Sequence, residues 1–470
     1  MRSWVVRALF VVALGGCASE SPRPNVVLVV ADTLRADYLG SYGFPGDVSP
    51  QLDRLASEAV LFERCVSQAP WTKPATASLL TSLYPGTHGL TDHEGGFWSS
   101  SEERRTGRLP AEALTLAEVL HLHGYRTAAF TANSWLVREY GFAQGFDHYD
   151  DYAARLDTHA DELLENARRW LDHSASGVPF FLYLHVMDVH APYDAPRADY
   201  DAVLDSVPGR GARALTDAER PDRRWNNIEV PADWANEERR HRVDYWRARY
   251  AAGVRALDRR LGRLRALLEE RGALANTLWI VTSDHGEHLF EHGDWSHGQN
   301  LYQHQLHVPL WIRPVGATRS SGLRVTEIVE LVDVMPTVLA LVGATSPTPL
   351  QGRDLSPLFA APAEELSTRA VRERYGFSTA VQHQRGLHAV TTERYKLIVD
   401  REAGTRRLFD LTEDPAESTD LASVLPEVAE ELEGALVRHL ADQEAFGSLA
   451  SEAATIPEEL ARRLRDLGYL

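Results

Sequence analysis

The 470-residue sequence predicts an α/β fold: a central mixed, mostly parallel sheet lies between helices, and a smaller antiparallel sheet subdomain follows at the C-terminal end. Three observations lead there. Apolar runs of buried-strand length, such as Asn25 to Val30, alternate with amphipathic helical patterns over residues 25–345. Polar residues stand at the ends of several runs, at Asp32, His185 to His190 and Asp284, where open α/β sheets bind their ligands. Beyond a stretch rich in Pro, Ser, Thr and Gly between Gly343 and Ala370, short strand patterns replace the long apolar runs.

Residues 1–24 form a signal and tether. Arg2 and Arg7 flank an apolar run, Ala8 to Leu14, too short to span a bilayer. Its ending, Leu14-Gly15-Gly16-Cys17, resembles the bacterial lipoprotein signal, which implies acylation of Cys17 as the mature N-terminus and anchorage to the membrane at the cell envelope. Ala18 in place of Asp after the cysteine points to the outer membrane by the same resemblance. An ordinary signal peptide with an incidental cysteine is the alternative. With Cys17 lipidated, Cys65 is the remaining thiol, so no intramolecular disulfide forms and stability rests on the core.

In residues 25–345 the first strand ends on Ala31-Asp32-Thr33, and helices follow over Pro50 to Ala59 and over Leu114 to Leu122, the latter closed by Gly124. Tyr125 to Ala132, Phe180 to Val186, Thr277 to Ser283 and Val308 to Arg313 are further strands, separated by helices such as Asp157 to Leu171 and Glu238 to Arg271. Asp194 to Asn236 lacks periodicity and reads as a long surface excursion. In residues 346–470, Leu387 to Thr391, Tyr395 to Val399 and Thr405 to Asp410 form a small meander, followed by helices over Pro426 to Ala445 and Pro457 to Leu467.

A balance of 49 Lys+Arg against 67 Asp+Glu, net −18, argues against nucleic acid as a partner and requires a local positive group or a metal for any anionic substrate. Only two residues, Lys73 and Lys396, are lysines.

The segment Pro70-Trp71-Thr72-Lys73-Pro74-Ala75-Thr76 carries the first chemistry. Pro74 suits the first turn of a helix and Ala75 to Leu83 contains helix formers, so Thr72 lies just before a helix N-terminus, whose free N–H groups and dipole favour a tetrahedral anion. Read alone, Thr72 is equally an N-cap, Asp32 a helix cap and His285 a satisfied core histidine.

Two motifs in a consistent order break that tie. Pro70 to Pro85 is similar to the C/S-x-P-S-R signature of the sulfatase family of the alkaline phosphatase superfamily, and Thr282-Ser283-Asp284-His285-Gly286-Glu287 resembles the superfamily's metal-binding strand end. His190 to Pro192, Val308-Pro309-Leu310, Gln351 to Leu355 and Arg394 to Leu397 match in order, so the resemblance covers about residues 24–422. It implies an alkaline-phosphatase-like fold and a metal-dependent hydrolase of anionic sulfate or phosphate esters. Asp32, Asp284, His285 and the Thr72 oxygen would hold a divalent ion, Thr72 would be the nucleophile and His190 an acid for the leaving group. Asp32-Thr33 and Asp284-His285 replace the usual all-oxygen calcium set, which favours Mn, Zn or Mg, with Ca as the alternative.

The departures are informative. Thr72 stands where the family's cysteine becomes formylglycine, so no formylglycine forms, and Thr76 replaces the signature arginine. Neither lysine lies in the family's substrate-binding motifs; His297 falls near one lysine position and Asn133 near the other. His93 sits where superfamily phosphodiesterases place a phosphate-contacting Asn. His288 and His292 are candidates for a second metal, although solvated surface groups are the simpler reading. A formylglycine hydrate releases sulfate through its second hydroxyl, whereas threonine has one. A Thr72 adduct must be released by water or another acceptor, the logic of phosphatases, phosphodiesterases and phosphoethanolamine-type transferases. A non-catalytic anion-binding lipoprotein is the remaining alternative.

Overall fold

The computed structural model describes residues 23–91, 105–155, 160–173, 177–204, 237–316, 321–359, 374–380 and 386–466. The lipidation candidate Cys17, the phosphate-contact candidate His93 and most of the excursion before Asn236 lie outside the described residues. No described helix is long and apolar enough to cross a membrane.

The strands are β1 (Asn25–Ala31), β2 (Val60–Val66), β3 (Arg105–Gly107), β4 (Arg126–Thr131), β5 (His148–Asp150), β6 (Phe180–Val186), β7 (Thr277–Thr282), β8 (His288–Leu289), β9 (Trp295–Ser296), β10 (His307–Arg313) and β11 (Arg324–Glu330). Eight of them build the central sheet in the order β11-β2-β10-β7-β1-β6-β4-β5. β10 runs antiparallel to both of its neighbours, and the remaining pairs are parallel. The carboxyl ends of β1, β2, β4, β6 and β7 therefore meet along one edge of the sheet.

The apolar run of β1 is buried on both faces. Val26, Leu28 and Val30 pack with the helices Thr72–Thr81, Leu116–Leu122 and Val334–Val342. Val27, Val29 and Ala31 pack with Pro50–Ser57, Ala160–Asp172 and Glu237–Glu270. Each buried Val or Leu of this strand contributes about 1.5–3 kcal/mol of apolar transfer free energy. β2 and β11 were not anticipated from sequence, because Glu63-Arg64 and Thr326-Glu327 interrupt their apolar runs. β11 lies at the sheet edge, where alternate positions face solvent and hydrophobic continuity is not required.

The C-terminal sheet has four strands rather than three. β12 (Gly376–Ala380) joins β13 (Leu387–Thr391), β14 (Tyr395–Asp400) and β15 (Thr405–Asp410) in consecutive antiparallel order. The helix Pro426–Phe446 covers one face through Ala429, Leu432 and Leu436. The other face packs Ala389, Ile398 and Phe409 against Leu301, Tyr302 and Leu306 of the larger unit. A last short strand, β16 (Ala453–Thr455), returns to pair with β3.

Candidate active site

Four strand ends and one helix start converge at the sheet edge. Asp32 follows β1, and its N–H donates to Val186 O at 2.9 Å, extending the β1–β6 ladder by one step. His185 occupies the penultimate position of β6, in register with Val30 and Thr131. Asp284 and His285 follow β7, and Asn133 follows β4. These side chains are essentially inaccessible to solvent, with Asp32, His185, Asp284 and His285 all at 0% exposure.

Thr72 is the first residue of the helix Thr72–Thr81, not the residue before it, and Trp71 takes the cap position without a side-chain cap hydrogen bond. Thr72 is thus no N-cap. Its hydroxyl lies 3.4 Å from His285 Nε2 and accepts a hydrogen bond from Asn133 Nδ2 at 3.2 Å. Asn133 Nδ2 also donates to Asp32 Oδ2 at 2.5 Å, while its Oδ1 accepts from Trp135 N at 2.7 Å, which fixes the orientation of the amide. Asn133 therefore braces the nucleophile candidate and a metal-ligand candidate.

Asp32, His185 and Asp284 each place a ligating atom within 4.8 Å of the others. His185 Nε2 is 3.1 Å from Asp32 Oδ2 and 3.8 Å from Asp284 Oδ2, and its Nδ1 is held 2.9 Å from the Tyr183 hydroxyl. His285 Nε2 lies 3.6 Å from Asp32 Oδ1 and 3.6 Å from Asp284 Oδ2, with its Nδ1 bonded to Gly286 O at 2.9 Å. Sequence reasoning placed His185 at a strand end without making it a ligand. A single histidine in an otherwise apolar buried strand was the available signal.

The electrostatics match a cation centre. Burial raises Asp284 above the usual carboxylate range, and the neighbouring Asp32 charge raises it further. Asp32 is also penalised by burial, but the hydrogen bond with His185 and the nearby His190, His185 and His285 rings hold it well below that range. Asp32 Oδ1 and Asp284 Oδ2 are buried and accept no hydrogen bond among the described residues. Two buried carboxylates sharing one cavity with open lone pairs are costly without a counter-cation. The oxygen and imidazole donors suit a divalent ion.

His190 and His297 complete the wall. Their ring centroids are 5.2 Å apart, and the His297 ring is 4.5 Å from that of His285. His190 Nδ1 bonds Ala191 O at 2.8 Å, and burial pushes its pKa down. His297 Nδ1 meets Glu287 Oε1 at 2.9 Å, while Tyr193 OH donates to Glu287 Oε2 at 2.9 Å. Glu287 is a positioning group that sequence reasoning missed, although it sits in the same motif as Asp284. Burial raises Glu287 to about 7 and lowers His297 to about 3. Lys73, next to the nucleophile candidate, turns away from it: Nζ donates to Thr106 Oγ1 at 2.7 Å and to Gly107 O, with the Tyr140 ring 4.6 Å away. Lys396 pairs with Glu417. His288 is fully buried, which overturns its reading as a solvated surface group, whereas His292 is exposed.

Comparison with known proteins agrees with this architecture. The sulfatase family model matches residues 24–344, and that of the N-sulphoglucosamine sulphohydrolase C-terminal region matches residues 290–444. The chain is 25% identical to an arylsulfatase of Clostridium perfringens over 456 residues, covering 85% of this chain and 90% of the relative. The phosphonate monoester hydrolase of Agrobacterium radiobacter superposes with a TM-score of 0.69 at 22% identity, covering 90% of this chain and 96% of that one. A structure solved with its substrate D-glucosamine-2-N,6-O-disulfate superposes with a TM-score of 0.70 at 19% identity, covering 90% of this chain and 98% of that one.

Proposed function

The chain belongs to the sulfatase family, a family of ester hydrolases, and we propose that it cleaves sulfate or phosphate esters through direct attack by the Thr72 hydroxyl. The observation that carries this reading is the position of Thr72 Oγ1, in the first turn of a buried helix and between His285 Nε2 and Asn133 Nδ2. Asp32, His185, Asp284 and His285 would hold a divalent ion, which when bound lowers the hydroxyl pKa and neutralises ester oxygens.

The chain's own residues account for the rest. Asn133 keeps the hydroxyl lone pair oriented by donating to it. The N-terminal dipole of the Thr72–Thr81 helix stabilises charge developing on the transferred group. His190 donates Nδ1–H to the Ala191 carbonyl, so its neutral ring presents a lone pair at Nε2; it would first take up a proton there and then pass it to the leaving oxygen. His297 is oriented by Glu287 and would offer an Nε2–H to the anion when Glu287, raised to about 7, holds the proton between them, in a site where neither lysine is present. Because Thr72 has one hydroxyl, its adduct is released by attack of water or of an acceptor alcohol at sulfur or phosphorus. This requirement favours phosphate over sulfate esters and keeps phosphodiesterase or phosphoethanolamine-type transfer as the second reading. Relatives that act on a glucosamine disulfate and on phosphonate monoesters bracket the substrate class. A lipid on Cys17 would hold the enzyme at the bacterial envelope.

The test is turnover of aryl sulfate, aryl phosphate, phosphonate monoester and phosphodiester probes with added Mn, Zn, Mg or Ca. Metal-dependent hydrolysis of at least one is expected. Binding of these anions without turnover under any metal would replace the enzyme reading with that of an anion-binding lipoprotein.

A further inference from the structure

A second group of ligating side chains lies outside the site above and shares no residue with it. We propose that His292, His304 and Glu417, with His288 beside them, form a structural metal site that takes a borderline divalent cation such as Zn(II). His292, His304 and Glu417 each offer one ligand atom within 4.8 Å of the others. Zn–N and Zn–O bonds near 2.1 Å would put tetrahedral ligand atoms about 3.4 Å apart, so small side-chain rotations close the cluster. The ring centroids of His288, His292 and His304 are separated by 5.6, 5.9 and 6.2 Å, against about 5 Å for imidazoles sharing one tetrahedral ion.

The donor chemistry points to a metal rather than to a packed histidine cluster. His288 is fully buried and its Nε2 bonds the Asn300 side-chain oxygen at 2.7 Å, so Nε2 carries the proton and Nδ1 a lone pair. That Nδ1, like His304 Nδ1, is buried without a hydrogen-bond partner among the described residues. A cation held by His292, His304 and Glu417 would lie beside these open nitrogens. Glu417 supplies the anionic ligand, with Oε2 held by Gln303 N at 2.6 Å and Oε1 by Lys396 at 2.9 Å. His292 stacks on Tyr302 with centroids 3.7 Å apart, which restricts its ring to one plane. An ion can enter by the exposed His292 or through a cavity of about 450 Å³ that His304 lines.

The three ligands come from separate pieces of chain: the turn between β8 and β9, the short helix Gln303–Leu306 that precedes β10, and the loop after β15. An ion there would join the C-terminal sheet to the segment bearing Asp284, Glu287 and His297, adding a fixed link where the two units pack.

The experiment uses the full chain, stripped with chelator and reloaded with Zn(II), with bound metal counted by mass spectrometry and folding checked by circular dichroism. In an Asp32→Asn/Asp284→Asn background, which disables the catalytic centre, one Zn(II) per chain is expected. Adding His292→Gln/His304→Gln, which preserves side-chain size, removes it along with the Zn(II)-dependent rise in Tm. Co(II) loaded into the same background should give a visible d–d spectrum that the added substitutions abolish. A folded Asp32→Asn/Asp284→Asn protein that binds no metal, or one whose metal survives His292→Gln/His304→Gln, overturns the proposal. If the catalytic-centre reading alone is wrong, wild type binds one ion and His292→Gln/His304→Gln by itself removes it.

Discussion

Thr72 Oγ1 and His285 Nε2 lie 3.4 Å apart although 213 residues separate them in sequence. Thr72→Ala removes the attacking oxygen at the cost of little buried volume. It should keep fold and bound metal and lower kcat by three or more orders of magnitude, measured on the best ester probe. Thr72→Ser should keep part of the activity. Thr72→Cys, which still lacks the signature arginine, should show no formylglycine by peptide mass spectrometry even with a maturation enzyme present. Wild-type rates in Thr72→Ala would mean that water attacks directly.

Asn133 is the bridge between Thr72 and Asp32. Asn133→Ala should lower kcat by about 10–100-fold with a smaller change in KM, because it disorients the hydroxyl and one carboxylate without removing either. An unchanged kcat would show that neither group depends on the amide.

The fold groups His185 with Asp32 and Asp284, with Tyr183 orienting it from two residues away on the same strand. His185→Ala should weaken metal binding at least as much as His285→Ala, read by equilibrium dialysis. Tyr183→Phe should cost about tenfold, the scale of a lost outer hydrogen bond. Unaltered affinity in His185→Ala would return His185 to a purely structural role.

Asp258, on the long helix Glu237–Glu270, accepts a hydrogen bond from Leu52 N at 2.7 Å, and burial raises its pKa to about 7. An acid whose folded pKa lies above its unfolded value near 4 binds more protons when folded. Stability from this group is therefore fully present below pH 4 and is lost as pH rises toward 7, by at most about 1.4 kcal/mol per pH unit. Thermal melts from pH 5 to 8 should show a downward slope that Asp258→Asn reduces. An identical slope in the variant would exclude Asp258 as its source.

Cys17 is proposed as the mature, acylated N-terminus. Intact-mass measurement of the protein from bacterial membranes should find the chain beginning at a lipidated Cys17, and an unmodified Cys17 in that fraction would reject the anchor.

Much of the architecture was legible because burial on both faces writes itself into sequence. Val26 to Val30 and Phe180 to Val186 are uniformly apolar or aromatic apart from His185, and such runs belong to central strands. β2, β11 and β12 were illegible for the opposite reason, since polar residues are tolerated toward a sheet edge and in short strands. Asp32, Thr72, Asp284 and His285 were proposed through the order of family-like motifs, a signal that lies in local chain geometry at strand ends and helix starts.

By itself the sequence determined the α/β class, the family resemblance and the threonine, with its single hydroxyl, at position 72. Only the tertiary structure decided that His185 joins the two aspartates, that Asn133 braces Thr72, that Glu287 orients His297 and that Lys73 turns away from Thr72 toward Thr106 and Gly107. The reason is physical. Residue type sets which protons and lone pairs a side chain can offer, but which groups share a cavity depends on strand order and register. Parallel pairing of β1, β4, β6 and β7 brings their carboxyl ends together from positions more than 200 residues apart, and no local pattern records that convergence.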